Sequence, residues 1–199
     1  MEKTQIVFVH GGNSFDNIAE FYEDLRQREF DPYQSERKKW RNTIATDLEA
    51  THESHVLQMP NALNADYTAW SIWFEKMIPF MRNDVILVGH SLGGGFLLRY
   101  LTENKLPLTV KQLHLVAPCI DDLDCPGVGG FKITVTTWSD FASIINSVHL
   151  WHSSDDDMVP IHHSERFAKK YPPTQTHYFT DRGHFMDSEF SELLVVIKK

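Results

Sequence analysis

The pentapeptide Gly89-His90-Ser91-Leu92-Gly93 follows an apolar run at 85–88 and opens a helix start rich in small residues. Gly-x-Ser-x-Gly at a strand-to-helix turn holds a serine in a strained backbone conformation, exposes its Oγ, and leaves room for the facing chain. Serine is a weak nucleophile at its own pKa, so acyl transfer also needs a base and a group that orients the base. Around such an elbow they follow in the order serine, acid, histidine. This chain offers both in that order, as Asp155-Asp156-Asp157 before Met158-Val159-Pro160, then Asp181-Arg182-Gly183-His184-Phe185. Ser91 is therefore the candidate nucleophile and His184 the candidate base. The acid is one of Asp155, Asp156 and Asp157, and the other two form a solvated turn, one of them capping the helix after Pro160. An oxyanion hole would combine the backbone N–H of Leu92 with that of Gly12, in His10-Gly11-Gly12-Asn13. A glycine there lets the backbone approach the substrate closely. The pair Gly11-Gly12 lacks the spacing of a dinucleotide phosphate loop.

Such groups need strand ends to stand on, and the chain alternates strand and helix signals throughout. Apolar, β-branched runs predict strands at 5–10, 55–59, 85–88, 113–117, 148–151 and 176–179. Helical spacing predicts helices at 16–28, with Ile18, Phe21, Tyr22 and Leu25 on one face, at 92–101 and at 189–197, and another ending at 167–171. Tyr67, Trp70, Trp73, Phe74, Met77 and Ile78 also recur at helical spacing and suit a helix packed on a sheet. The expected fold is a three-layer α/β/α sandwich with a mostly parallel central sheet of about six strands. Ligands of such folds gather at the carboxyl ends of the strands, where both candidate loops fall. Two segments break the rhythm. Residues 36–50 carry Trp40, Ile44 and Leu48 at four-residue steps and predict an extra helix; residues 121–140 contain glycines and a short strand-like patch at 133–137. The basic run Arg37-Lys38-Lys39-Trp40-Arg41 reads as a solvated helix face, or as a flap whose Trp40 or Ile44 touches substrate. Residues 1–199 are expected to form a single domain.

Nineteen basic against 27 acidic residues give a net charge of −8, which argues against nucleic acid as a partner. No apolar run reaches membrane-spanning length, and the first core strand leaves no room for a signal peptide. Cys119 and Cys125 are too few for a disulfide framework, so a reduced, cytoplasmic protein is expected, with Cys119 a small buried hydrophobe. Eleven histidines include no His-Glu-x-x-His, and adjacent His162 and His163 cannot share a helix face; neither a metal nor another cofactor is expected.

The elbow, the Asp-x-x-Val-Pro loop at 156–160 and Gly183-His184-Phe185 resemble the small α/β-hydrolase family of serine hydrolases that includes retinoblastoma-binding protein 9 and the YdeN-like proteins. The likeness spans nearly the whole chain. It implies a trimmed α/β-hydrolase sheet, without the early antiparallel strands, and makes Asp156 the acid. The extra helix and His10-Gly11-Gly12 depart from the family pattern. Together these readings predict a cofactor-free serine hydrolase acting on small-molecule acyl esters. The alternative is a protein-binding module on a hydrolase scaffold with vestigial activity.

Overall fold

In β1 (Thr4–Val9), Ile6 and Phe8 bury into one core while Val7 and Val9 bury into another; in β3 (Val85–His90), Ile86 and Val88 oppose Val85 and Leu87 in the same way. Side chains alternate across a strand, so two cores mean a sheet covered on both faces. The computed structural model describes residues 2–33, 39–121, 124–125, 127–133 and 143–199. Its sheet has six strands, every pairing parallel, in the order β2-β1-β3-β4-β5-β6, with β2 (His52–Leu57), β4 (Val110–Val116), β5 (Val148–Ser153) and β6 (Gln175–Phe179). The chain leaves β1 for β2 on one side and returns to place β3 on the other. The sheet therefore reverses direction between β1 and β3, the switch point where such folds bind ligands.

Helices α3 (Tyr67–Met77), α4 (Leu92–Glu103) and α5 (His162–Lys170) cover one face through Trp70, Phe74, Phe96 and Phe167. On the other lie α2 (Trp40–Leu48) and α6 (Ser191–Ile197), through Trp40, Ile44, Leu48, Leu193 and Ile197. The three-layer α/β/α sandwich is thus the fold. No described helix is long and apolar enough to cross a membrane.

Several expectations are corrected. Helix α1 (Ile18–Gln27) forms, capped by Asn17, but buries none of its residues; Ile18 and Tyr22 are half-exposed. Periodicity reports an apolar face without saying what covers it. Strand β2 starts earlier than its apolar part because it is an edge strand, where polar residues such as Glu53 and His55 are tolerated beside solvent. Trp73 turns outward from α3. Within the extra helix, Trp40 and Ile44 are core residues, so the flap reading does not hold for them; residues 36–38 of that prediction, like 134–137 of the strand-like patch, lie outside the described residues. The two cysteines pair as a disulfide with Cα atoms 6.5 Å apart, within bridging range, which overturns the expectation of free thiols.

Candidate active site

Ser91 sits between β3 and α4 with φ 54° and ψ −124°, in a region that L-residues rarely occupy. Such strain persists only where the surroundings over-determine it. Here the Ser91 N–H donates to Val116 O at 2.8 Å on β4, and the Ser91 carbonyl accepts from Gly94 N–H and Gly95 N–H. The flanking glycines are steric necessities. A Cβ on Gly89 would stand 2.6 Å from Gly93 O, and one on Gly93 would meet Val9 O and His10 O, both at 2.4 Å. The elbow and the end of β1 touch backbone to backbone.

The loops after β5 and β6 meet beside the elbow. Asp156, its side chain fully buried, accepts the His184 Nδ1–H at Oδ2 at 2.8 Å and the amides of Met158 and Val159 at Oδ1, both at 2.9 Å. Burial opposes ionisation of Asp156, yet the His184 bond and charge and the two amides outweigh it and hold the carboxyl below its ordinary value. In the neutral ring, giving Nδ1–H to Asp156 leaves the lone pair on Nε2. Among the described residues, Ser91 Oγ makes no hydrogen bond to that ring; such contacts often tighten only when substrate binds.

The neighbouring carboxylates separate from Asp156. Asp157 is exposed. Asp155 Oδ1 accepts from the Ser153 hydroxyl and from Gly183 N–H at 2.9 Å, which ties the His184 loop to β5. Neither caps the helix after Pro160, because the N-cap position of α5 is Ile161, with no side-chain cap among the described residues.

The loop after β1 lies against the serine: a Cβ on Gly11 would fall 3.4 Å from Ser91 Oγ. His10 shapes this loop. Its Nε2 accepts Met59 N–H at 2.9 Å, so its Nδ1–H donates to Gly11 O at 2.6 Å. Carbonyl and N–H of one trans peptide point oppositely, so drawing the Gly11 carbonyl to the imidazole turns the Gly12 N–H away from it. Neither Gly12 N–H nor Leu92 N–H has an acceptor among the described residues.

Three more histidines brace the site, in roles that the sequence did not assign to them. His90 is buried and donates Nε2–H to the backbone carbonyl of His184 at 2.9 Å. Burial, then the facing His184, pushes its pKa down to about 3, so it is neutral; its Nδ1 has no partner among the described residues. His152 donates Nε2–H to Val159 O at 2.8 Å and accepts from Ser164, its Nε2 lying 3.5 Å from Asp156 Oδ2. His10 completes the set, and burial first lowers its pKa. Trp40 adds a further tie, donating N–H to Asp187 O and Nε1–H to Phe185 O at 2.8 Å; Phe185 itself has φ 53°. The position of His90 inside the pentapeptide was the available signal.

A parallel sheet with this switch point, a strained elbow serine and strand-end loops around it defines an α/β hydrolase. Within that class, the chain belongs to the serine hydrolase family, whose sequence model matches residues 31–197. It is 27% identical over 148 residues to the serine hydrolase RBBP9 of Rattus norvegicus, covering 70% of this chain and 73% of that one. The ydeN gene product of B. subtilis superposes with a TM-score of 0.77 at 18% identity, over 98% of this chain and 97% of that one. The methylesterase MES16 of Arabidopsis superposes with a TM-score of 0.63 at 14% identity, over 98% and 99%. At these identities the two structural likenesses are ones of fold.

Proposed function

We propose that residues 1–199 work as one hydrolase domain that cleaves small acyl esters through Ser91, His184 and Asp156. Ser91 Oγ attacks the ester carbonyl while His184 Nε2 takes its proton. His184 then delivers that proton to the leaving alcohol, and an acyl-enzyme remains on Ser91. Water, deprotonated by His184, attacks the acyl carbon and releases the carboxylic acid, returning the proton to Ser91. Asp156 fixes the imidazole tautomer and stabilises the imidazolium. The N–H groups of Leu92 and Gly12 hold the oxyanion, with His10 orienting the Gly12 peptide. The carrying observation is the buried Asp156–His184 pair beside a serine at positive φ, with two N–H groups nearby that have no acceptor among the described residues. The ester class draws support from MES16, which is described as a methylesterase.

A fluorophosphonate probe and a panel of p-nitrophenyl esters of increasing acyl length test this reading. Wild type should label and turn over short esters, and Ser91→Ala should do neither. Asp156→Asn should lose about 10⁴-fold in kcat, by the behaviour of other triads. Asp155→Asn and Asp157→Asn should lose far less. Equal labelling of wild type and Ser91→Ala would refute the nucleophile; labelling without turnover across the panel would favour the binding-module alternative.

A further inference from the structure

A cavity of about 430 Å³ opens at the amino ends of β4, β5 and β6, the opposite edge of the sheet from Ser91. Lys111, His149, His177 and Lys199 line it with amide and hydroxyl groups, and no acidic side chain lines it among the described residues. The protein carries a net charge of −8, yet neither lysine has a carboxylate within ion-pair distance among the described residues. Two ammonium groups without a paired side-chain carboxylate among the described residues create a local field that favours an anion.

The imidazoles form a directed chain whose proton positions follow from their partners. Ser147 donates its hydroxyl hydrogen to Lys111 O at 3.3 Å, so its oxygen accepts His149 Nε2–H at 3.2 Å. That leaves His149 Nδ1 as an acceptor, and His177 Nε2–H donates to it at 3.2 Å. Behind them, His114 is locked by Trp151 Nε1–H on Nδ1 and by Gln112 Oε1 at Nε2. In this three-ring stack, His177 Nδ1 alone lacks a partner among the described residues. The His177 ring lies flat on Trp151, with centroids 3.8 Å apart and planes at 11°, so the indole face would support a positive charge there.

We infer that this cavity is a second binding site, for a small oxyanion of the carboxylate or phosphoryl class held between Lys111, Lys199 and His177. Charge-assisted bonds from two ammonium groups supply the attraction. The His177–His149–Ser147 chain fixes the ring that faces the ligand; burial, then the Lys199 charge, lowers the pKa of His177, and the charge of a bound anion would favour a proton on its Nδ1. Burial, then the His177 and Lys199 charges, pulls the pKa of His149 down to about 4, so it stays neutral as the middle link. The site is independent of the ester chemistry proposed above.

The experiment follows the histidine side-chain NMR signals while inorganic phosphate, succinate or, as an ionic-strength control, chloride is added. Saturable shifts at His149 and His177 with phosphate or succinate are expected, and whichever ion binds more tightly identifies the phosphoryl or carboxylate class. Lys111→Met and Lys199→Met should each weaken binding about tenfold, the scale of one charge-assisted bond. Both lysines are at least partly exposed, so these variants should fold, and fluorophosphonate labelling of Ser91 should be unchanged. No shift beyond that of chloride would overturn the proposal. So would unchanged binding in the double lysine variant, or His177-dependent binding of Zn²⁺ where neither anion binds.

Discussion

Gly93→Ala tests whether backbone contact between the elbow and the end of β1 positions the site. The added Cβ would stand 2.4 Å from both Val9 O and His10 O, about an ångström short of ordinary contact. Both atoms belong to backbone, so no flexible side chain can give way. Removing a glycine from α4 favours the helix by about 1 kcal/mol. Overpacking costs about 1–3 kcal/mol, so the net effect is destabilising. At this size of protein each kcal/mol lowers the melting temperature by about 2–4 °C. The larger effect is on activity, because the atoms that must move carry His10 and the loop leading to Gly12. A misplacement of about an ångström costs on the order of 10²-fold in rate. The assay pairs thermal unfolding with kcat on a short p-nitrophenyl ester, with Gly130→Ala as control, since a Cβ on Gly130 meets nothing within 4 Å. Gly93→Ala should melt a few degrees lower and lose about a hundredfold in kcat, while the control should be unaffected. Wild-type kcat and melting in Gly93→Ala would refute the reasoning.

Two further outcomes are expected. The unfolded chain protonates His90 near 6.5, whereas folded His90 stays neutral to about 3, so the unfolded state binds more protons between those values. Stability should therefore fall as pH drops through that window, and His90→Gln, which retains a donor for His184 O, should show a shallower fall in urea unfolding across a pH series. Trp40→Phe keeps an aromatic ring against Phe8, His90 and Phe190 but strips Phe185 O of its donor; urea unfolding should register a loss of about 1–3 kcal/mol.

The layers of the fold were legible because β-branched runs bounded by glycine and proline mark strands, and β1 and β3 are apolar on both faces. The elbow was legible for a local reason, since two glycines and a serine must fall at fixed spacing for backbone to touch backbone. The choice of Asp156 from a run of three was legible only through the family resemblance, not from the residues themselves. It depends on which carboxyl turns under Met158 and Val159 toward His184, a matter of loop conformation that adjacent identical residues cannot signal. The bracing roles of His10, His90 and His152 were equally hidden, because each is defined by a distant backbone carbonyl or amide. The cysteine pairing escaped composition for the same reason: two cysteines six residues apart become neighbours only when the segment after β4 folds back. Helix α1 marks the converse error, an amphipathic pattern without a buried face.

The bond from His90 to the main chain of His184 closes a mechanical circuit. From the elbow it runs through the His90 ring to the His184 backbone, through the His184 ring to Asp156, and through the Val159 amide and carbonyl and His152 back to β5, which joins β3 through β4. A chain of rigid links closed on itself has few ways to deform. Twisting of the sheet or sway of the outer loops then carries serine, imidazole and carboxylate along as one body. The walls around the site are free to diverge in shape without loosening the tolerances at its centre.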